Sequence, residues 1–224
     1  MGISKWTAMG VAATGIASAG FGANAYAQYR DTEEPAYETM RSADGFELRE
    51  YEPMIVAEVT HKGDRRRASG RSFQRLAAYI FAQDRPAGGE RIAMTSPVMQ
   101  KRMNSETVDQ NEPIAMTSPV LQEEMSEGEW RMRFVMPARF TMATLPKPPS
   151  DITLTEVPAR TVAAVRFNGL ARSSDLAVME AMLTQWVERE GLTPLGDFEY
   201  AFYDAPMVPG PLRRNEVLIE VAAE

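Results

Sequence analysis

Few side chains in this sequence are equipped for chemistry. His61 is the one histidine and there is no cysteine among 224 residues. Disulfides, thiolate metal sites, thiol nucleophiles and covalent haem attachment through C-x-x-C-H are thereby excluded. A lone imidazole also excludes the multi-histidine zinc, iron and copper sites. Two serines stand in a repeated setting: "IAMTSPVMQ" at Ile92 to Gln100 returns at an offset of 22 as "IAMTSPVLQ", identical at eight of nine positions. Ser96 or Ser118 would need a base to act as a nucleophile, and only His61 exists. The structural reading is stronger. Pro97 and Pro119 cannot donate to a ladder, so each copy belongs at a sheet edge, a bulge or a strand end. In an extended chain Ile92, Met94, Ser96 and Val98 share one face, as do Ile114, Met116, Ser118 and Val120. Fifteen methionines offer thioether ligands, and pairs such as Met99 with Met103 or Met132 with Met136 raise copper handling as an alternative. Strand alternation and core filling explain most of them. With no phosphate loop and no nucleophile–base pair, the chain reads as a binding protein and not an enzyme.

Charge narrows the partners. The net charge of −7 and pI near 5.0 give no electrostatic support to a nucleic-acid partner or an anionic membrane. Residues 6–27, "WTAMGVAATGIASAGFGANAYA", carry no charge, follow Lys5 and end on Ala25-Tyr26-Ala27, the small-x-small pattern of a signal-peptidase site. The expectation is a cleaved signal peptide over 1–27 and a periplasmic or secreted product. The alternative is an inner-membrane anchor formed by residues 6–27. Residues 28–45 are polar and aperiodic and read as a linker.

The elements that must position any site follow from periodicity. "FELREY", "MIVAEVTH", "EWRMRFVMP", "ITLTEV", "RTVAAVRF", "FEYAFYD" and "NEVLIEV" alternate as strands. Phe73, Leu76, Ala77, Ile80 and Phe81 fall on one helical stripe that must end before Pro86. Leu176, Met179, Met182, Leu183, Trp186 and Val187 mark a second helix, ended by Gly191. A longer repeat lies beneath. At an offset of 106, Leu48, Glu50, Val56, Ala57 and Val59 meet Leu154, Glu156, Val162, Ala163 and Val165, and the two helical stripes keep the same register. A constant offset that survives a change of period points to a duplicated half-domain with two helices on one antiparallel sheet.

"RIAMTSPV", "WRMRFVMP", "TLPKPP", "VPARTVAAVRFNG" and "YDAPMVPGPLRRNEVLIEV" occur in the order and spacing of the SOUL family of haem-binding proteins, which this chain resembles from Phe46 to Val221. Bacterial-type members often carry I-x-M-T-x-P-V twice around an insertion, here "KRMNSETVDQNEP". The resemblance implies an α+β domain over 46–224. Duplicated strand-strand-helix-strand halves form a distorted, mainly antiparallel β-barrel with two packed α-helices, similar to effector-binding domains. It also implies haem or a related tetrapyrrole as a non-covalent cofactor, held in an apolar surface cleft. The matching positions are Gly70, Phe73 and Ala77 on the first helix, with Tyr203, Met207, Val208, Arg213 and Arg214 on the loop before the last strand. Phe73, Ala77, Met207 and Val208 would line the slot. Arg213 and Arg214, or Arg71 and Arg75, would meet the propionates. Some family members place a histidine where this chain has Glu50. His61 lies further on and reads as a solvated residue, so the iron ligand stays open. The alternative function is binding of another bulky amphipathic molecule without iron coordination.

Overall fold

In the computed structural model the described residues are 32–85, 89, 91–103, 128–204 and 208–222. Those from Glu33 onward belong to one compact unit. The second nonapeptide, the insertion before it from residue 104 on, Met207 and residues 1–31 lie outside the described residues.

Among the described residues nine strands form one sheet. They are β1 (Tyr37–Ala43), β2 (Phe46–Tyr51), β3 (Met54–Lys62), β4 (Val98–Met103), β5 (Glu129–Val135), β6 (Thr153–Val157), β7 (Arg160–Asn168), β8 (Glu199–Phe202) and β9 (Arg214–Glu220). The helices are α1 (Arg65–Ile80) and α2 (Ser173–Arg189). All neighbouring strands are antiparallel, in the order β1-β2-β7-β9-β8-β4-β5-β3-β6. The sheet curls into a half-barrel. Set β1 aside and exchange β2 with β6, β3 with β7, β4 with β8 and β5 with β9. The order then returns as itself read backwards. β3 and β7 stand 106 residues apart at both ends, and Ile80 and Trp186, also 106 apart, are both buried. Each half runs strand-strand-helix-strand-strand, one strand more than the sequence suggests.

One reading changes. Residues 37–43, expected within a polar linker, form β1 and pair with β2 along its whole length. Six of its seven side chains are exposed, so no apolar face announces it; backbone pairing to β2 makes it a strand.

Both helices cover the same face of the sheet. The α1 side buries Leu76, Tyr79 and Ile80 against Ala57, Val59, Met132 and Phe134. The α2 side buries Leu176, Leu183, Trp186 and Val187 against Leu48, Ala163, Val217 and Ile219, with Trp186 stacked on Phe46 at 5.6 Å. Asp64 caps α1, accepting from the Arg67 amide at 3.1 Å. Asp175 accepts from the Arg172 amide at the start of α2, and Gly191 ends that helix at φ +70°. Among the described residues no helix covers the opposite face. Its apolar residues, among them Val56, Met99, Val162, Ala164 and Leu218, are buried by the curl itself.

Candidate functional site

The concave face is crossed by two ionic networks. Arg49 of β2 reaches over β7 to Glu216 of β9, with Nη1–Oε2 2.7 Å and Nη2–Oε1 3.1 Å. Glu216 also accepts from the Tyr203 hydroxyl at 2.7 Å and from Arg214 at 3.0 Å. Burial raises the Glu216 pKa, but the bonds and charges of Arg49 and Arg214 and the Tyr203 hydroxyl outweigh it and hold the carboxyl below its usual range. Burial pushes Tyr51, which accepts from Arg49, up to about 12. A second chain runs Arg160–Glu199–Arg133–Glu58 across β7, β8, β5 and β3 at 2.9, 3.4 and 2.9 Å. These charges satisfy one another, so the concave face is a filled interior and not an open groove.

The sequence-selected residues divide between two faces. Gly70, Phe73 and Ala77 lie on one stripe of α1, at i, i+3 and i+7. Gly70 is exposed, and a Cβ there would meet nothing within 4 Å. Phe73 is half-buried, edge-on to Phe134 at 5.4 Å. Phe81, 37% exposed, prolongs the stripe. Arg71 and Arg75 leave α1 on the opposite flank. Arg71 donates to the Lys62 carbonyl and Arg75 to Asp151 and Asp84. His61 stands on that flank too, bonded through Nδ1 to Ser72 Oγ at 2.9 Å. It is half-buried, and burial together with Arg71 and Arg75 lowers its pKa. Glu50, at the family histidine position, is exposed on β2.

The loop before β9 is linked to the first turn of α1 through residues 168–171. Val208 is buried and its carbonyl accepts from Arg213 Nε at 2.8 Å. Gly169 N donates to the Arg213 carbonyl at 3.3 Å, and Asn168 Nδ2 to that of Pro211 at 3.2 Å. Arg65 of α1 in turn donates to the Ala171 carbonyl at 2.7 Å. Val208 and Arg213 are thus linked, through 168–171, to Arg65 in the first turn of α1. Tyr203 and Arg214 are not. Arg214 lies over the Tyr203 ring at 3.7 Å, and both turn to the concave face. Among the described residues no group of three or more His, Asp or Glu could hold a metal.

The first nonapeptide braces the sheet. Ile92, Met94 and Val98 all join the core under α1, and Pro97 stands immediately before β4, after a cis Ser96–Pro97 bond. Ser96 N donates to the Glu33 carbonyl and its hydroxyl to the Tyr203 carbonyl at 3.3 Å; Thr95 donates to Val135. Ser96 is an anchor here, with His61 bonded elsewhere.

Sequence reasoning missed a cavity of about 850 Å³ at one end of the sheet. The segment 33–36, the β2–β3 turn, the stretch after β5 and the β6–β7 turn form its walls. Four short connections spread from residue 33 to residue 158 make it, and no single motif marks them.

A curled antiparallel sheet with two helices on its convex face defines the effector-binding-domain-like class. The SOUL heme-binding protein model matches residues 32–220. The chain belongs to that family. Among solved structures, the C-terminal domain of EcmrR is similar at TM-score 0.56 and 15% identity, covering 84% of this chain and 99% of that one. An uncharacterized conserved protein from Listeria innocua gives 0.53, 14%, 90% and 98%. A hydrolase from Listeria innocua gives 0.53, 13%, 89% and 97%. No curated protein matches.

Proposed function

We propose that this protein holds haem or a related tetrapyrrole, non-covalently, on the Gly70–Phe73–Ala77 flank of α1, with the Val208–Arg213 loop at its end. The observation that carries this reading is the haem-binding family match over residues 32–220. The open surface at Gly70 supports the placement, since a flat macrocycle needs close approach to a helix without a Cβ in the way. His61 is engaged by Ser72 on another side of α1 and Glu50 is an exposed residue of β2, so apolar contact dominates and axial ligation is weak or absent. The role is binding and not catalysis; the carboxylates of the concave face are engaged by arginines. We further propose export, with cleavage after Ala27; intact mass of exported protein starting at Gln28 would support it, and full-length chain in membranes would oppose it.

Hemin titration followed in the Soret region tests the site. Gly70→Glu places a bulky anion on the stripe where nothing obstructs the side chain, and should weaken hemin by tenfold or more, about 1.4 kcal/mol. Unchanged affinity in that variant would move the site elsewhere.

A further inference from the structure

The place that residues 92–100 fill in the fold is set by a few side chains and one amide. Ile92 N donates to the Ile80 carbonyl at 2.8 Å, which joins the segment to the end of α1. Ile92, Met94 and Val98 enter the core beneath that helix. Thr95 donates to the Val135 carbonyl and Ser96 to that of Tyr203. Gln100 is buried and donates through Nε2 to Ser69 Oγ on α1. Met99 faces the other way, into the concave core. At the offset of 22 these groups recur as Ile114, Met116, Thr117, Ser118, Val120 and Gln122; only Met99 is replaced, by Leu121.

An exchange of one copy for the other is close to balanced. Methionine and leucine differ little in volume, and such swaps are the mildest of core changes. Beyond the glutamine, Lys101 and Arg102 correspond to Glu123 and Glu124. Lys101 stands between Arg131 of β5 and Glu199 of β8, one like charge and one opposite. Glu123 in that position would also meet one of each, with the signs reversed. The connection from β4 to β5 would shorten from residues 104–128 to 126–128, and that after α1 would lengthen from 81–91 to 81–113. Closure entropy follows the logarithm of loop length, so the gain and the cost offset one another.

We propose that the fold has two arrangements of one strand: residues 114–125 can take the place of 92–103, slipping the chain by one whole repeat while the nonapeptide's contacts are remade. The repeat is then a strand-exchange switch. Met103, at the end of β4, pairs with Glu129, and the adjoining Gly128 carbonyl accepts from Gly63 N at 2.9 Å beside the Asp64 cap of α1. Exchange replaces two cations at that end of the strand by two carboxylates, so the sheet changes sign near the first turn of α1.

The chain has no cysteine, so engineered ones report without background. Met99 is opposite Ala201 across β4 and β8, and both are buried; antiparallel partners lie within disulfide reach. In the full chain carrying Met99→Cys/Leu121→Cys/Ala201→Cys, mild oxidation traps whichever copy faces position 201, and peptide mass mapping counts the 99–201 and 121–201 links. The two should occur within about tenfold of each other, about 1.4 kcal/mol. A second set of variants is read by near-UV circular dichroism in the natural cysteine-free background. Ile92→Asp puts a charge at a position the fold buries; it should nonetheless stay folded, because the second copy serves, and so should Ile114→Asp. The two changes together should abolish the fold. A 121–201 share more than tenfold below the other, unfolding by Ile92→Asp alone, or a folded double variant would each overturn the proposal.

Discussion

Arg49 and Glu216 sit on strands that are not neighbours, yet they meet in a two-pronged ion pair with β7 beneath it. Neither is exposed by more than 2%. Removing one partner leaves the other charge buried. Glu216→Gln should therefore destabilise the fold by about 3–5 kcal/mol. The double replacement Arg49→Met/Glu216→Leu should cost clearly less than the two single changes added together. Denaturant unfolding of the three variants measures it; additive losses would mean the pair is not coupled.

Acid sensitivity follows from the same pair. Glu216 and Glu199 have folded pKa values below the ordinary 4.5. The stability they contribute is complete above about pH 4.5 and is lost as pH falls through their folded values. Glu216→Gln should flatten the acid limb of the stability–pH curve. An unaltered limb would place the titration elsewhere.

His61 acts in a higher window. Its folded pKa lies below 6.5, so unfolding takes up a proton once the pH drops under that value, and stability declines from there toward the folded pKa. Asp151 opposes the shift, whereas burial, Arg71 and Arg75 favour it. His61→Gln should remove this shallow step while leaving the steeper carboxylate limb. Since His61 lies across α1 from Gly70, His61→Ala should also leave hemin affinity within about threefold, about 0.7 kcal/mol. A collapsed Soret band in that variant would make His61 an iron ligand.

Trp186 is the largest apolar group that α2 contributes to the core. It is 3% exposed and stacked on Phe46 of β2. Trp186→Ala should cost about 3–5 kcal/mol, read from chemical denaturation. A loss under 1 kcal/mol would mean that the α2 side of the core tolerates the cavity.

The regular elements were legible because their patterns are periodic and local. β3 and β7 show alternation in "MIVAEVTH" and "RTVAAVRF", and Leu76 with Ile80, and Leu183 with Trp186 and Val187, show helical spacing. β1 was not legible, since "YETMRSA" buries almost nothing and owes its shape to a partner strand. Alternation also assigns Arg49 and Glu216 to the polar face of their strands, which reads as solvent. Only the curl of the whole sheet turns that face inward. Among the site residues, the α1 stripe was legible from its spacing, whereas the loop split: Val208 and Arg213 turn toward the segment after β7, Tyr203 and Arg214 to the interior. A loop has no period from which such a division could be read.

The backward-reading strand order carries a consequence for how the molecule is made. β2, from the first half, finds its inner partner in β7, and β6, which opens the second half, finds its partner among the described residues in β3. Each half lends its first strand to the other. A chain synthesised as far as β5 holds β2 with β1 alone and leaves one side of β3 bare, so it presents unpaired edges until the remaining strands emerge. Assembly must wait for pairings that span about a hundred residues, which slows folding. The two halves interlock, and neither is a unit that evolution or an experimenter could lift out intact.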